Sequence, residues 1–93
     1  VVDANPQQAA AVAARLGTTP FDSVDPLLDA VDAVSVVTPT IFHHQVAAAF
    51  LKNAVPVLVE KPVCRTVAEA DDLIALAADA DVPFQVGHIE RFN

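Results

Sequence analysis

Ala33-Val34-Ser35-Val36-Val37-Thr38-Pro39-Thr40 is the stretch on which the fold turns. It is a short, mostly β-branched apolar run between Asp32 and a Thr-Pro pair. Runs of this length and composition favour a strand, and near-continuous apolar strands are those of parallel sheets, buried on both faces. Downstream, Thr40 is placed to cap a helix from 41 to about 53, with Phe42, Val46 and Phe50 at i, i+4 and i+8 as its buried stripe. Val57-Leu58-Val59 is the next strand and ends on Glu60-Lys61-Pro62. Thr66 opens a second helix, with Glu69 at capping-box spacing and Ala70, Leu73, Leu76 and Ala77 continuing at helical intervals. Val82-Pro83 breaks it, and Phe84-Gln85-Val86 is the last strand.

Upstream, Val1-Val2-Asp3 has the character of a strand end. Asn5-Pro6 is a helix start and Gly17 a helix stop, bracketing an Ala-rich segment over 7–16. A short strand is expected around Phe21 and a short helix from Asp25-Pro26. Strands and helices therefore alternate along the whole chain. This predicts an α/β protein, a partial doubly wound parallel sheet with right-handed crossovers. With 93 residues the chain is one domain at most. It opens on Val1 without a Met, so an excerpt of a longer protein or a truncated gene product is expected, with residues 1–93 as part of one domain.

Composition removes several function classes. Five Lys and Arg face 12 Asp and Glu, a formal net charge of -7. Such a surface repels phosphate backbones and anionic membranes, so neither nucleic acid nor membrane is an expected partner. No apolar run approaches the ~20 residues of a membrane span. Cys64 is the only cysteine, which excludes an internal disulfide and fits a reducing, cytoplasmic compartment. His43 and His44 are adjacent and diverge by about a quarter turn on a helix, unlike the i, i+4 pair of zinc helices. His88-Ile89-Glu90 resembles a metal motif but lacks a following Cys-x-x-Cys, so no metal is expected.

In open α/β sheets, ligands bind beyond the carboxyl ends of the strands. Four segments leave strands there: Asp3-Ala4-Asn5, Thr38-Pro39-Thr40, Glu60-Lys61-Pro62 and Gly87-His88. Asp3 has two readings: an acid that accepts hydrogen bonds from an adenosine ribose, or a cap for the next helix. On the first, its charge and the neighbouring Ala4 favour NAD over NADP. Glu60 and Lys61 also have two readings. They are either a charged pair where the chain meets water, or neighbours that point to opposite sides and serve different ligands. Pro62 stiffens that presentation. Arg91 is either a clamp for a carboxamide or phosphate, or a surface residue.

Taken together, Val34 to Pro39, then His43, then Val57 to Pro62, resemble the Gfo/Idh/MocA oxidoreductases, the group of glucose–fructose oxidoreductase and inositol dehydrogenase. Four positions separate Pro39 from His43 and seventeen separate His43 from Glu60, as in that family. The resemblance implies a Rossmann domain that binds NAD(P). It implies an enzyme moving a hydride between the nicotinamide and a sugar, nucleotide-sugar or cyclitol alcohol. Asp3, Thr38, Pro39, His43, Glu60, Lys61 and Arg91 would be its cofactor residues, and Lys61 its catalytic residue. It also implies a homo-oligomer for the full-length protein. The segment from Gly87 to Asn93 looks most like that of nucleotide-sugar members such as UDP-N-acetylglucosamine 3-dehydrogenases. The alternative is a non-catalytic dinucleotide-binding or redox-sensing protein of the same fold.

Two departures stand out. The family has Gly where Ala54 stands, and Ala tolerates positive φ poorly, so this turn is expected to differ. The Gly-rich phosphate turn, the first strand and helix, and the substrate domain are not in the sequence. In the order 3-2-1-4-5-6, the first strand lies between the second and the fourth. Two sheet pieces flanking a vacant slot are therefore expected, and poor stability of the isolated residues with them.

Overall fold

The structure, a computed structural model, describes residues 1–87. Asn5 starts the first helix as its sequence requires: its side-chain oxygen accepts the Gln7 and Gln8 N–H groups at 3.0 and 3.2 Å. Pro6 occupies the first turn of α1 (Pro6–Leu16). Gly17 closes it at φ 69°, a left-handed conformation open to glycine without steric cost. On either side of α1, Val2 and Phe21 make an isolated parallel bridge. Phe21 N–H donates to Val1 O at 2.9 Å and Asp3 N–H to Phe21 O at 3.2 Å. A single 3-10 turn, Asp25–Leu27, leads on towards the sheet.

The sheet has three strands, β1 (Val34–Val36), β2 (Val57–Glu60) and β3 (Phe84–Gly87), in that order. All are parallel, with Val36 opposite Val59 and Glu60 opposite Gly87. The crossovers are α2 (His43–Lys52), entered through a 3-10 turn at Thr40–Phe42, and α3 (Val67–Ala80). The core joins Val36, Val57 and Val59 of the strands to Ala47, Phe50 and Leu51 of α2 and Leu73 and Ala77 of α3. Alanine on both helices allows close approach, and the larger Phe50, Leu51 and Leu73 fill the remaining space.

Three expectations are corrected here. Among the described residues the strands are buried on one face. Ser35, Leu58 and Gln85, the central residues pointing away from the core, are all exposed, Leu58 at 41%. The alternation is that of a half-covered sheet, because α2 and α3 supply the residues that pack with it in the core. The buried stripe of α2 is also rotated from the Phe42-Val46-Phe50 line. Phe42 sits in the 3-10 turn ahead of the helix and is 45% exposed, while His43, Ala47, Phe50 and Leu51 face inward. A 3-10 turn advances each residue further round the axis than an α-helix does, so the phase shifts at the junction. Finally, Ala54 does take the left-handed conformation, at φ 58°. The turn holds it there through Ala54 N–H to Leu51 O and Val55 N–H to Phe50 O, both 3.0 Å.

Thr66 caps α3 by accepting the Glu69 N–H at 3.1 Å. The return bond of the box shifts by one residue: Glu69 accepts the N–H of Arg65 at 3.2 Å. The α3 exit uses Asp81 at φ 55°. No helix of the described residues is long and apolar enough to cross a membrane.

Candidate functional site

Parallel register brings the carboxyl ends of the three strands to one edge. Glu60 and Gly87 are paired there, and Thr38-Pro39 leaves the same edge two residues beyond Val36. Thr38, Pro39, Lys61 and Pro62 are all exposed along it. Three of the four expected exits thus meet. The Asp3 segment belongs to the separate Val2–Phe21 pair. Its carboxylate accepts the Asn5 N–H at 2.8 Å, so Asp3 does brace the helix start that Asn5 caps. Arg91 lies outside the described residues.

Glu60 is half-buried and its carboxylate is fixed from two sides. One oxygen accepts the Lys61 N–H at 3.2 Å. The other lies 3.2 Å from where a Cβ on Gly87 would stand. Gly87 therefore leaves room for the carboxylate at the rim. The sequence reading assigned it no role, though a signal was present. Of the two glycines in the chain, Gly17 is accounted for by a helix stop and Gly87 by nothing local. Lys61 follows on the exposed side, and the Lys61-Pro62 peptide bond is cis.

His43 stands behind this rim rather than on it. Its side chain is 1% exposed. Nδ1 lies 2.9 Å from Pro62 O and 3.2 Å from Val63 O, and Nε2 lies 2.8 Å from Thr38 O. The ring thus connects the exit of β1 to the exit of β2 with both nitrogens engaged, instead of facing a ligand. His44 pairs with Asp72 of α3 at 2.7 Å, a contact between helices that the sequence reading did not anticipate. Burial, and then the nearby charge of Glu69, push the Cys64 thiol above its ordinary range. A thiol held protonated suits a packing role better than a nucleophilic one.

The donor set at the edge fits a dinucleotide. Glu60 is a carboxylate, which accepts from ribose hydroxyls, and Lys61, next in the chain, carries a proton donor. Residues 1–88 match the family model for the oxidoreductase family with an NAD-binding Rossmann fold, GFO_IDH_MocA. UDP-N-acetylglucosamine 3-dehydrogenase of Acidithiobacillus ferrooxidans is 46% identical over 93 residues, covering all of this chain and 30% of the relative. Its solved structure superposes with a TM-score of 0.93 over 98% of this chain and 30% of that one. Inositol 2-dehydrogenase of Leifsonia xyli is 38% identical over 96 residues, covering 100% of this chain and 28% of the relative. The structure of GenD2 from gentamicin A biosynthesis, in complex with NAD, is 32% identical, with a TM-score of 0.89 over 94% of this chain and 26% of that one. The chain thus spans about a third of the length of these relatives. A parallel α/β sheet, a shared edge for its strand exits and these matches together make the chain a member of the Gfo/Idh/MocA oxidoreductase family, carrying part of its NAD-binding Rossmann fold.

Proposed function

We propose that residues 1–93 supply part of the cofactor site and the active-site lysine of a longer NAD-dependent dehydrogenase. Its substrate is a sugar, nucleotide-sugar or cyclitol alcohol, a class supported by the names of the relatives. The observation that carries this reading is the pairing of Glu60 with Gly87 at the sheet edge, with Lys61 next in the chain. A half-buried, oriented carboxylate and an exposed lysine are thereby set at the place where an α/β sheet receives a nucleotide.

Each residue then has a part. Glu60 accepts from a nicotinamide ribose hydroxyl, its orientation held by the Lys61 N–H and the space over Gly87. Thr38 and Pro39 form the exposed floor beside it. Asp3 accepts from the adenosine ribose, and its charge next to Ala4 disfavours a 2′-phosphate, hence NAD rather than NADP. Lys61 holds the proton of the reacting hydroxyl and passes it on as the carbon is oxidised. The nicotinamide, when bound, supplies the hydride chemistry. Arg91 is assigned to the nicotinamide side on family resemblance. A single cysteine kept as a free thiol accords with a cytoplasmic setting.

The test is Lys61→Ala in the full-length protein. General acid–base groups contribute roughly 10²–10⁴-fold, so kcat should fall by that order while the NAD dissociation constant stays within about twofold. An unchanged kcat removes Lys61 from the chemistry. NAD binding by the wild type without turnover on any sugar or cyclitol would favour a sensor instead.

A further inference from the structure

His43 is the one polar or charged side chain fully buried among the described residues, and its surroundings are unusual for a histidine. Every partner of its ring nitrogens is a backbone carbonyl oxygen: Thr38 on Nε2, Pro62 and Val63 on Nδ1. Carbonyl oxygens only accept. A neutral imidazole carries one N–H, so its other nitrogen would direct a lone pair at an oxygen under 3 Å away. Burying such a mismatch is destabilising. A ring protonated at both nitrogens removes it and makes both contacts charge-assisted bonds.

The charged and titratable groups on the elements around the ring are accounted for. They are Glu60 at the end of β2, Lys61, Cys64 and Arg65 on the loop after it, Glu69, Asp72 and the exposed Asp71 and Asp79 on α3, and His44 and the exposed Lys52 on α2. Glu69 is bonded to Arg65, Asp72 to His44, and Glu60 to the Lys61 N–H. The ring's own hydrogen bonds go to carbonyls alone.

Resting on the function proposed above, we infer that His43 is a positioning residue. By donating from both ring nitrogens it staples the Thr38-Pro39 exit to the Lys61-Pro62-Val63 exit and so sets where Lys61 stands relative to the cofactor floor. The stapled carbonyls belong to Thr38, next to Pro39, and to Pro62, next to Lys61. A shift of the ring therefore moves both walls of the site.

The test uses the full-length enzyme and two independent readouts. The first is NMR of ring-15N histidine protein at about pH 7, with the His43 signals assigned by their loss in His43→Gln. Both ring nitrogens should show the protonated signature. A neutral ring with one bare nitrogen overturns the inference. The second is kinetics of His43→Gln, which keeps side-chain hydrogen bonding but cannot donate in both directions. Misplacement near 1 Å can cost about 10²-fold, so kcat should fall about 10–100-fold. An unchanged kcat also overturns it. If His43→Gln does not fold, the NMR result on the wild type, its His43 signals then assigned by through-bond correlation, decides alone. If the wild type binds NAD without turnover, the proposed function fails while the NMR result still judges the staple.

Discussion

Asp3 combines an observed local role with a proposed one. Its carboxylate accepts the Asn5 N–H at 2.8 Å, the local role, and that bond uses one oxygen of the group to which the cofactor role is proposed. The two are separable by experiment. Asp3→Ser keeps a side-chain acceptor for the turn but removes the charge that disfavours a 2′-phosphate. In the full-length protein this change should lower the ratio of kcat/KM for NAD over NADP by about tenfold or more, a loss of about 1.4 kcal/mol of discrimination. An unaltered ratio would assign Asp3 to the helix start alone. At this scale the sequence was legible wherever a residue's role is set by its neighbours in the chain, as with Asn5, Gly17 and Thr66. His43 was not legible in this way. Its partners are 5, 19 and 20 residues away, and only the fold brings their carbonyls around the ring.

Among elements, the turn between α2 and β2 offers the plainest stability experiment. Ala54 sits at φ 58° with its N–H bonded to Leu51 O. A left-handed residue with a Cβ is strained by roughly 1–2 kcal/mol, partly offset on substitution by the greater chain entropy of glycine. Ala54→Gly in the full-length protein should therefore raise stability by about 0.5–1 kcal/mol, read as a higher denaturation midpoint in urea. A lower midpoint would show that the turn suits alanine. The phase of α2 was misjudged for a related reason. Phe42, Val46 and Phe50 form a stripe only if the helix is regular from residue 41, and the 3-10 turn at Thr40–Phe42 breaks that phase. The open face of the sheet did leave a trace in the sequence. Ser35 and Gln85 put polar side chains at the centre of otherwise apolar strands, which is alternation in brief.

For the molecule as a whole, the described residues contain two separate pieces of β-structure. One is the Val2–Phe21 bridge, and the other is the sheet β1-β2-β3, where β1 pairs along one side only. Among the described residues the buried core cluster is correspondingly small, ten residues with partly buried neighbours around it. A 93-residue chain with an uncovered sheet face and open strand edges sits at the low end of what one core stabilises. Prepared alone, residues 1–93 should melt without a sharp transition and bind NAD no tighter than millimolar. A cooperative melt with micromolar NAD binding would show that these residues suffice. The fold class was readable from the alternation of strands and helices. The single-sided burial was harder to read, since strand patterns report the faces a strand prefers and not which helices are at hand to cover them.

The most direct measurement is a crystal structure of the full-length protein with NAD. The nicotinamide ribose should lie over the ends of β1, β2 and β3, about 3 Å from the Glu60 carboxylate, with the Lys61 ammonium beside the reacting face of the ring. A nucleotide bound at the opposite end of the strands, or with Lys61 turned away from the nicotinamide, would contradict the account.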